Sequence, residues 1–315
     1  MLVALAGGVG AARLLAGMVR VVDPSQVTAV VNTGDDMTLH GLHVSPDIDT
    51  VVYTLSGLSN PETGWGVAGE SWTVMSWLEE LGGETWFRLG DRDLATHLYR
   101  TQRLADGAPL SQVTDELARA RGIGMRVVPV TDDPVRTHLT LAEPVDGLEA
   151  GTEVAFQHYF VRLRHGVAVR AVRFDGADTA RPAPGVLDAI ATAEVIVACP
   201  SNPVVSLGPI LAIPGVRELL VERRDRVVAV SPIVAGAALK GPADRLLAEL
   251  GHESSALGVA RMHAEWAGTL VVDTRDEELV PAIAGAGVRP VVAPTVMTSP
   301  DVAAALCRVV LDAAR

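Results

Sequence analysis

The stretch MLVALAGGVG (1–10), running into AARLLAGMVR (11–20), decides the fold. A short apolar run stops at glycine, and a helical pattern opens at Ala11. This is a buried strand, a tight turn and a helix. Glycine lets the backbone approach an anion closely, and the free N–H groups at a helix start favour negative charge. Gly7, Gly8, Val9 and Gly10 therefore read as a phosphate cradle. The pattern meets neither the full dinucleotide fingerprint nor the P-loop, which needs Gly-Lys-Ser/Thr where Ala11, Ala12 and Arg13 stand. Taken alone it is equally an ordinary β–α turn, and the acidic loop near residue 35 tips the balance.

Working outward, LVALA (2–6), TAVVN (28–32), EVIVAC (194–199), RVVAVS (226–231), TLVVD (269–273) and RPVVA (289–293) are short and Val-rich. Runs of this kind are strands buried on both faces. Helical patterns at 11–21, 184–192, 242–250, 276–285 and 299–313 separate most of them. The expectation is an α/β fold: a mostly parallel, doubly wound sheet in a Rossmann-like three-layer arrangement. From about 71 to 180 the pattern changes. Helical segments (71–81, 91–105, 111–121) precede RVVPV, THLTL, VAFQHYFVRLR and VAVRAVRF, which alternate like antiparallel strands. This predicts an inserted α+β subdomain within a single domain spanning 1–315.

The 315 residues are 49% hydrophobic, enough for a sizeable core. No apolar run approaches the roughly 20 residues that span a bilayer. The opening strand lacks a basic flank and meets glycine early, so no signal peptide is expected. Cys199 and Cys307 offer neither a disulfide framework nor metal spacing, which predicts a reduced, cytoplasmic setting. A net charge of −12 argues against nucleic acid or an anionic membrane as partner. A phosphorylated ligand must then be held locally, by helix starts, a few arginines or a metal.

In a doubly wound sheet the active crevice lies past the carboxyl ends of the strands. The loop after the second strand reads NTGDDMTLHGLHVSPDIDT and holds Asp35, Asp36, Asp47 and Asp49, with Asn32 at the strand's end. Four carboxylates so close repel one another without a cation or proton. Hard oxygen ligands suit Mg²⁺, which takes one or two carboxylates and completes its shell with water and substrate phosphate. The plainer alternative is an Asx turn at Asp35 and Asp36 and a helix cap at Asp47 or Asp49. His40 and His43 read as structural groups or substrate contacts. In ETWFRLGDRDLATHLYRT (84–101), Arg88, Arg92 and His97 are candidates to grip an anion or polar ring, with Asp91 as a helix cap. Trp65, Trp72, Trp77 and Trp86, four of the five tryptophans, stand nearby, as a stacking surface or as core. CPSNPVVSLGPIL (199–211) and SPIVAGAALKGPA (231–243) offer Ser201, Asn202, Ser206 and Ser231 for a base, ribose or phosphate. FQHYFVRLR (156–164) reads as a strand whose Gln157 faces the site. No nucleophile elbow, Cys/His pair or zinc spacing is present, so the residues point to Mg²⁺-dependent phosphoryl transfer.

The chain closely resembles the 2-phospho-L-lactate transferase family (CofD in archaea, FbiA in actinobacteria), which acts in coenzyme F-420 biosynthesis. The resemblance runs over roughly residues 1–275, through GGVGAARLL, NTGDD, HGLHVSPDIDT, GWG, WFRLGDRDLATHLYRTQ, FQHYFV, PSNPVVSLGPILAIPGVRE and SPIVAG. It implies that a guanosine diphosphate-activated three-carbon acid (lactyl, enolpyruvyl or glyceryl) donates its phospho-acid group to the ribityl hydroxyl of the deazaflavin Fo. GMP leaves and Mg²⁺ is required; a homodimer is expected. By the same resemblance, Gly7–Gly10 and Arg13 match the nucleotide-side phosphate loop. Ser201, Asn202 and Ser231 match the guanosine side, to which Asn32 is added. Asp35 and Asp47 are assigned to metal, Asp36 and Asp49 to catalysis, with Asp49 beside the Fo hydroxyl. Arg88, Asp91, Arg92 and His97 match the segment associated with Fo. His158 stands where relatives often carry an acid, and Cys199 where they carry small residues.

Two rivals share parts of this pattern. CofD-like regulators that bind nucleotide sugars share the glycine turn and sheet but not the Trp-rich segment or WFRLGDRDLATH. A nicotinamide-dependent dehydrogenase would want an acid at the end of the second strand, where Asn32 stands. The residues do not distinguish lactyl, enolpyruvyl and glyceryl donors, which differ by a methyl, a double bond or a hydroxyl.

Overall fold

The computed structural model describes residues 1–239 and 241–314. Its strands are β1 (Leu2–Ala6), β2 (Val27–Val31), β3 (Met37–Leu39), β4 (Leu42–Val44), β5 (Arg126–Pro129), β6 (Arg136–Leu141), β7 (Glu153–Ala155), β8 (Val169–Asp175), β9 (Val195–Ala198), β10 (Val227–Val230), β11 (Ile233–Val234), β12 (Ala237–Ala238), β13 (Thr269–Val272) and β14 (Arg289–Val292). Its helices are α1 (Gly8–Met18), α2 (Pro46–Leu55), α3 (Thr73–Glu80), α4 (Asp91–Ala105), α5 (Leu110–Ala120), α6 (Val186–Thr192), α7 (Leu207–Leu211), α8 (Val216–Glu222), α9 (Ala243–Glu249), α10 (Ala256–His263), α11 (Val280–Gly285) and α12 (Pro300–Ala313).

Seven strands form one sheet in the order β14-β13-β10-β9-β1-β2-β5, and every neighbouring pair is parallel. A parallel sheet needs helices on both faces, and the strand sequences supply apolar side chains to both. Along β1, Val3 and Leu5 enter a core beneath α6, α8 and α10, while Leu2, Ala4 and Ala6 enter the opposite core beneath α1, α2 and α12. The expected α/β class and parallel sheet are what the chain forms. No helix among the described residues is long and apolar enough to cross a membrane.

The strand order fixes where a ligand would sit. From β1 the chain crosses by α1 to β2 on one side, and later returns to the other side of β1 as β9. At such a reversal a parallel sheet offers a ligand crevice past the carboxyl ends of its strands.

Three local readings change. RVVPV is not part of an antiparallel subdomain sheet: β5 is the edge strand of the main sheet, parallel to β2. Its valines serve both cores, Val128 one and Val127 the other, as a continuous apolar run should. FQHYFVRLR is not a strand. β7 ends at Ala155, and His158–Arg162 forms a single π-turn. Phe156, Tyr159 and Leu163 are its buried apolar residues, and that spacing is helical rather than alternating. The first helix begins at Gly8 rather than Ala11, so the glycine turn is itself the helix start.

The remaining strands of the 71–180 region do pair antiparallel, in the order β7-β6-β8. Of the tryptophans there, Trp72 and Trp86 pack on a small core of Leu39, Val44, Met75, Leu89 and Leu94, whereas Trp65 and Trp77 are exposed.

Candidate active site

Two helix starts and two strand ends meet at the reversal. Gly7 caps α1 with its backbone alone, and Gly8 adopts φ +73°, a conformation open to glycine at little cost. The loop after β9 is held against this turn by Ser201, whose Oγ donates to the Gly7 carbonyl (2.8 Å) and accepts from the Gly7 N–H (3.2 Å). The packing is close. A Cβ on Gly10 would stand 2.2 Å from the Pro200 carbonyl oxygen, and one on Gly7 would stand 2.6 Å from Ser206 Cβ. Gly7 and Gly10 are therefore required for the two loops to meet, while Gly8 faces open space towards Asp47.

The acidic loop lies alongside. β2 ends at Val31, and Asn32, fully buried, donates from Nδ2 to Asp47 Oδ2 (2.9 Å) and accepts the Gly34 N–H (2.8 Å). α2 starts at Pro46 with Asp47 and Asp49 in its first turn. Ser45 is its N-cap residue but makes no cap bond; its Oγ donates to Asp36 Oδ2 (2.8 Å), which His43 Nε2 also approaches at 3.0 Å. Asp35, Asp36, Asp47 and Asp49 are all buried. Burial, then the charge of Asp47, pushes the Asp35 carboxyl well above the ordinary carboxylate range. Burial raises Asp47 to about 6, although the Asn32 bond and the Gly8 N–H work the other way. Asp35 Oδ1 and Asp36 Oδ1 are buried without any hydrogen-bond partner. Buried carboxylates in mutual repulsion, with orphaned oxygens, suit a hard divalent cation such as Mg²⁺.

Asp49 is handled differently. Its two oxygens accept from the two terminal nitrogens of Arg100, at 3.1 Å for Nη1 to Oδ2 and in a shorter contact from Nη2 to Oδ1. Arg100 is completely buried on α4. His97 Nδ1 lies 3.7 Å from Asp49, and His97 Nε2 lies 3.2 Å from Asp93. Tyr53 donates to Asp93 Oδ1 (2.6 Å). Burial opposes the Asp93 charge, but His97, Tyr53 and Arg100 outweigh it and hold the carboxyl below the ordinary range. Asp49, Asp93 and His97 each offer a ligand atom, all within 4.8 Å of one another, a group able in principle to hold a metal ion.

The other expected site residues are placed as follows. Asn202 Oδ1 accepts the Val204 (2.9 Å) and Val205 (3.3 Å) N–H groups. Ser231 Oγ donates to the Ile233 carbonyl and accepts its N–H. These side chains brace their own loops. Arg13 projects from α1 and has no ion-pair partner among the described residues. Arg88 lies over the Trp72 ring at 4.7 Å. Asp91 does not cap α4, whose N-cap is Gly90; it caps α3 instead, accepting from Ser71 Oγ and from the Thr73 and Val74 N–H groups. The Ser71 bond, then the backbone N–H groups, hold its carboxyl down at about 2. In return Glu70 caps α4, accepting the Arg92 and Asp93 N–H groups. Since Tyr53 meets Asp93, the start of α4 lies about 9 Å along α2 from Asp47, six residues at 1.5 Å each. Arg88, Asp91 and Arg92 therefore stand apart from Asp47, engaged with Trp72, the start of α3 and the Ala68 carbonyl, while His97 reaches Asp49.

Arg100 and Tyr53 escaped the sequence reading. Their signal was present: Asp93, His97 and Arg100 share one helix face, and Asp49 and Tyr53 share another.

The family pattern described as 2-phospho-L-lactate transferase CofD matches residues 2–308. The chain belongs to the CofD family. It is 47% identical to the phosphoenolpyruvate transferase of Kitasatospora aureofaciens, over 98% of this chain and 96% of that protein. It is 42% identical to the phosphoenolpyruvate transferase of Mycolicibacterium smegmatis, over 98% and 97%. Among solved structures, protein BH3568 of Bacillus halodurans superposes with a TM-score of 0.62 at 16% identity, over 98% of both chains. That likeness concerns the fold alone.

Proposed function

We propose that this CofD-family chain transfers a phosphoenolpyruvyl group from its guanosine diphosphate-activated form to the terminal ribityl hydroxyl of Fo, releasing GMP, in coenzyme F-420 biosynthesis. The carrying observation is a loop of four buried carboxylates whose Asp47 lies against a glycine-built helix start at the strand reversal. The choice of enolpyruvyl among the three-carbon acids rests on the names of the 42–47% identical relatives.

In this reading the hydroxyl oxygen of Fo attacks the phosphorus that carries the three-carbon acid. The anhydride bond to the second phosphate breaks, and GMP takes the bonding pair. The N–H groups of Val9 and Gly10, with Arg13, hold the GMP-side phosphate, while the Gly8 N–H holds Asp47. The loops braced by Ser201, Asn202 and Ser231 receive the guanosine. Asn32 fixes Asp47, and Asp35 and Asp47 hold Mg²⁺. When bound, Mg²⁺ supplies the positive charge that such a transfer needs on its phosphate oxygens. Asp49, with both oxygens engaged by Arg100, orients the hydroxyl, and Asp36, through its free Oδ1, takes the proton. Arg88, Asp91, Arg92 and His97 build the wall along which Fo lies, His97 from beneath and Asp91 by holding α3. The chain works as a homodimer in the cytoplasm.

Incubation with Fo, Mg²⁺ and each activated donor in turn, followed by mass measurement, tests the reading. The enolpyruvyl adduct of Fo should dominate, and absence of any adduct from all three donors would refute it. Protons compete with the ion at Asp47 and at Asp35, so Mg²⁺ affinity should weaken at least about tenfold per pH unit as pH falls below about 6. Calorimetric titrations between pH 5 and 7.5 check this, and a flat affinity would remove Asp47 from the ligand set.

A further inference from the structure

Asp49, Asp93 and His97 resemble a three-ligand metal site, yet they have a different occupant. We propose that the Arg100 guanidinium is the resident cation of this group: it closes the group to divalent ions and aims Asp49 at the crevice. The second half of this inference rests on the transferase reading, in which Asp49 meets the acceptor hydroxyl; the first half does not.

The geometry is specific. Two of the three would-be ligands face the guanidinium. Both oxygens of Asp49 accept from it, and His97 Nδ1 lies 3.3 Å from Arg100 Nη1. A divalent ion among these atoms would sit against a fully buried positive charge, where solvent screens the repulsion little. Among the described residues, Arg100 is the only arginine or lysine ion-paired with any of Asp35, Asp36, Asp47 and Asp49. Among the described residues, the paired cation of these four aspartates thus stands on the Asp49 side. Asp35 and Asp47 have no such partner, and Asp35 Oδ1 is left without a hydrogen bond.

Arg100 also sets direction. Its Nη1 donates to the His43 carbonyl on β4 (3.3 Å), so one side chain ties α4, α2 and the β3–β4 hairpin together. A planar fork with paired donors fixes the rotation of a carboxylate, which the point charge of a lysine does not. Asp49 stands two residues after Asp47 in the first turn of α2, so its aim fixes where an acceptor group sits relative to the Asp35–Asp47 pair.

Co²⁺ serves as the probe, because its visible absorption reports an imidazole ligand. Wild-type protein should bind Co²⁺ without the signature of His97. Arg100→Met should gain an additional Co²⁺ equivalent with an imidazole ligand, and the further change His97→Ala should abolish that gain. Arg100→Lys keeps the charge and loses the fork. It should gain no ion, and its kcat should fall at least tenfold with KM for the guanosine diphosphate-activated donor unchanged. Imidazole-ligated Co²⁺ in the wild type, or a folded Arg100→Met with no added equivalent, overturns the exclusion. If Arg100→Met fails to fold, Arg100→Lys decides: wild-type kcat or an added ion in that variant overturns the proposal. If the wild type shows no transferase activity, the functional reading fails, and the cobalt titrations still decide the role of Arg100.

Discussion

Asp47→Asn should lower turnover roughly a thousandfold or more while the protein stays folded and, above pH 6, becomes more stable without metal. The loss follows from the ligand set. In the proposed function Asp47 shares Mg²⁺ with Asp35, and an amide is a poor substitute for a carboxylate there. The gain in stability follows from the same burial. Asp47 titrates at about 6 in the folded chain, above its ordinary value of 3.8. A carboxyl with a raised folded value favours the folded state below its unfolded value, and that benefit is lost as pH rises through about 6. At pH 7 the ionised group is therefore a burden, on the order of 2–3 kcal/mol, which the neutral amide escapes. Steady-state rates with saturating Mg²⁺ and denaturant melts at pH 5 and pH 8 measure both effects. Retained turnover would sink the metal assignment, and a destabilised variant at pH 8 would show that Asp47 is structural.

Gly10→Val should cost about 3 kcal/mol or more of stability and abolish GMP binding. A Cβ there collides with the Pro200 carbonyl oxygen, a backbone atom of the loop after β9 that cannot swing aside as a side-chain tip would. Overpacking against backbone sits at the upper end of the usual range. Gly8→Ala is the informative partner. Its Cβ meets nothing closer than Asp47 Oδ1 at 3.9 Å, so its cost is the φ of +73° alone, roughly 1 kcal/mol. The melting midpoint of each variant and calorimetric titration with GMP separate the two. Similar, small losses in both would mean that the loops after β1 and β9 do not close on each other as described.

The sheet was legible because its strands are uninterrupted runs of valine, alanine and leucine with nowhere to go but between two helix layers. The same rule, applied to RVVPV, would have placed Val127 and Val128 in the main sheet; their neighbours THLTL and VAVRAVRF, which do alternate, drew the segment into the wrong sheet. FQHYFVRLR misled because its aromatic residues favour strands in general, while their spacing favours one helical turn. The acidic loop was legible from charge density alone. Its division of labour was not, because Arg100 lies 51 residues from Asp49 and only the antiparallel packing of α2 and α4 brings the two together. Asp91 has the residue type of a helix cap, and it is one, but for the other helix. Spacing names the cap without naming its owner.

The two hydrogen bonds between Ser201 and Gly7 span 194 residues of sequence. During synthesis the glycine turn is made 194 residues before the partner that braces it. Contacts of such separation form late, once the loop-closure cost has been met by the packing around them. The glycine turn is thus set by a loop far away in the sequence. A nascent chain that has made only β1, α1 and β2 carries the glycines without the brace that sets them. In the proposed function, nucleotide capture is in this way tied to the completion of the sheet.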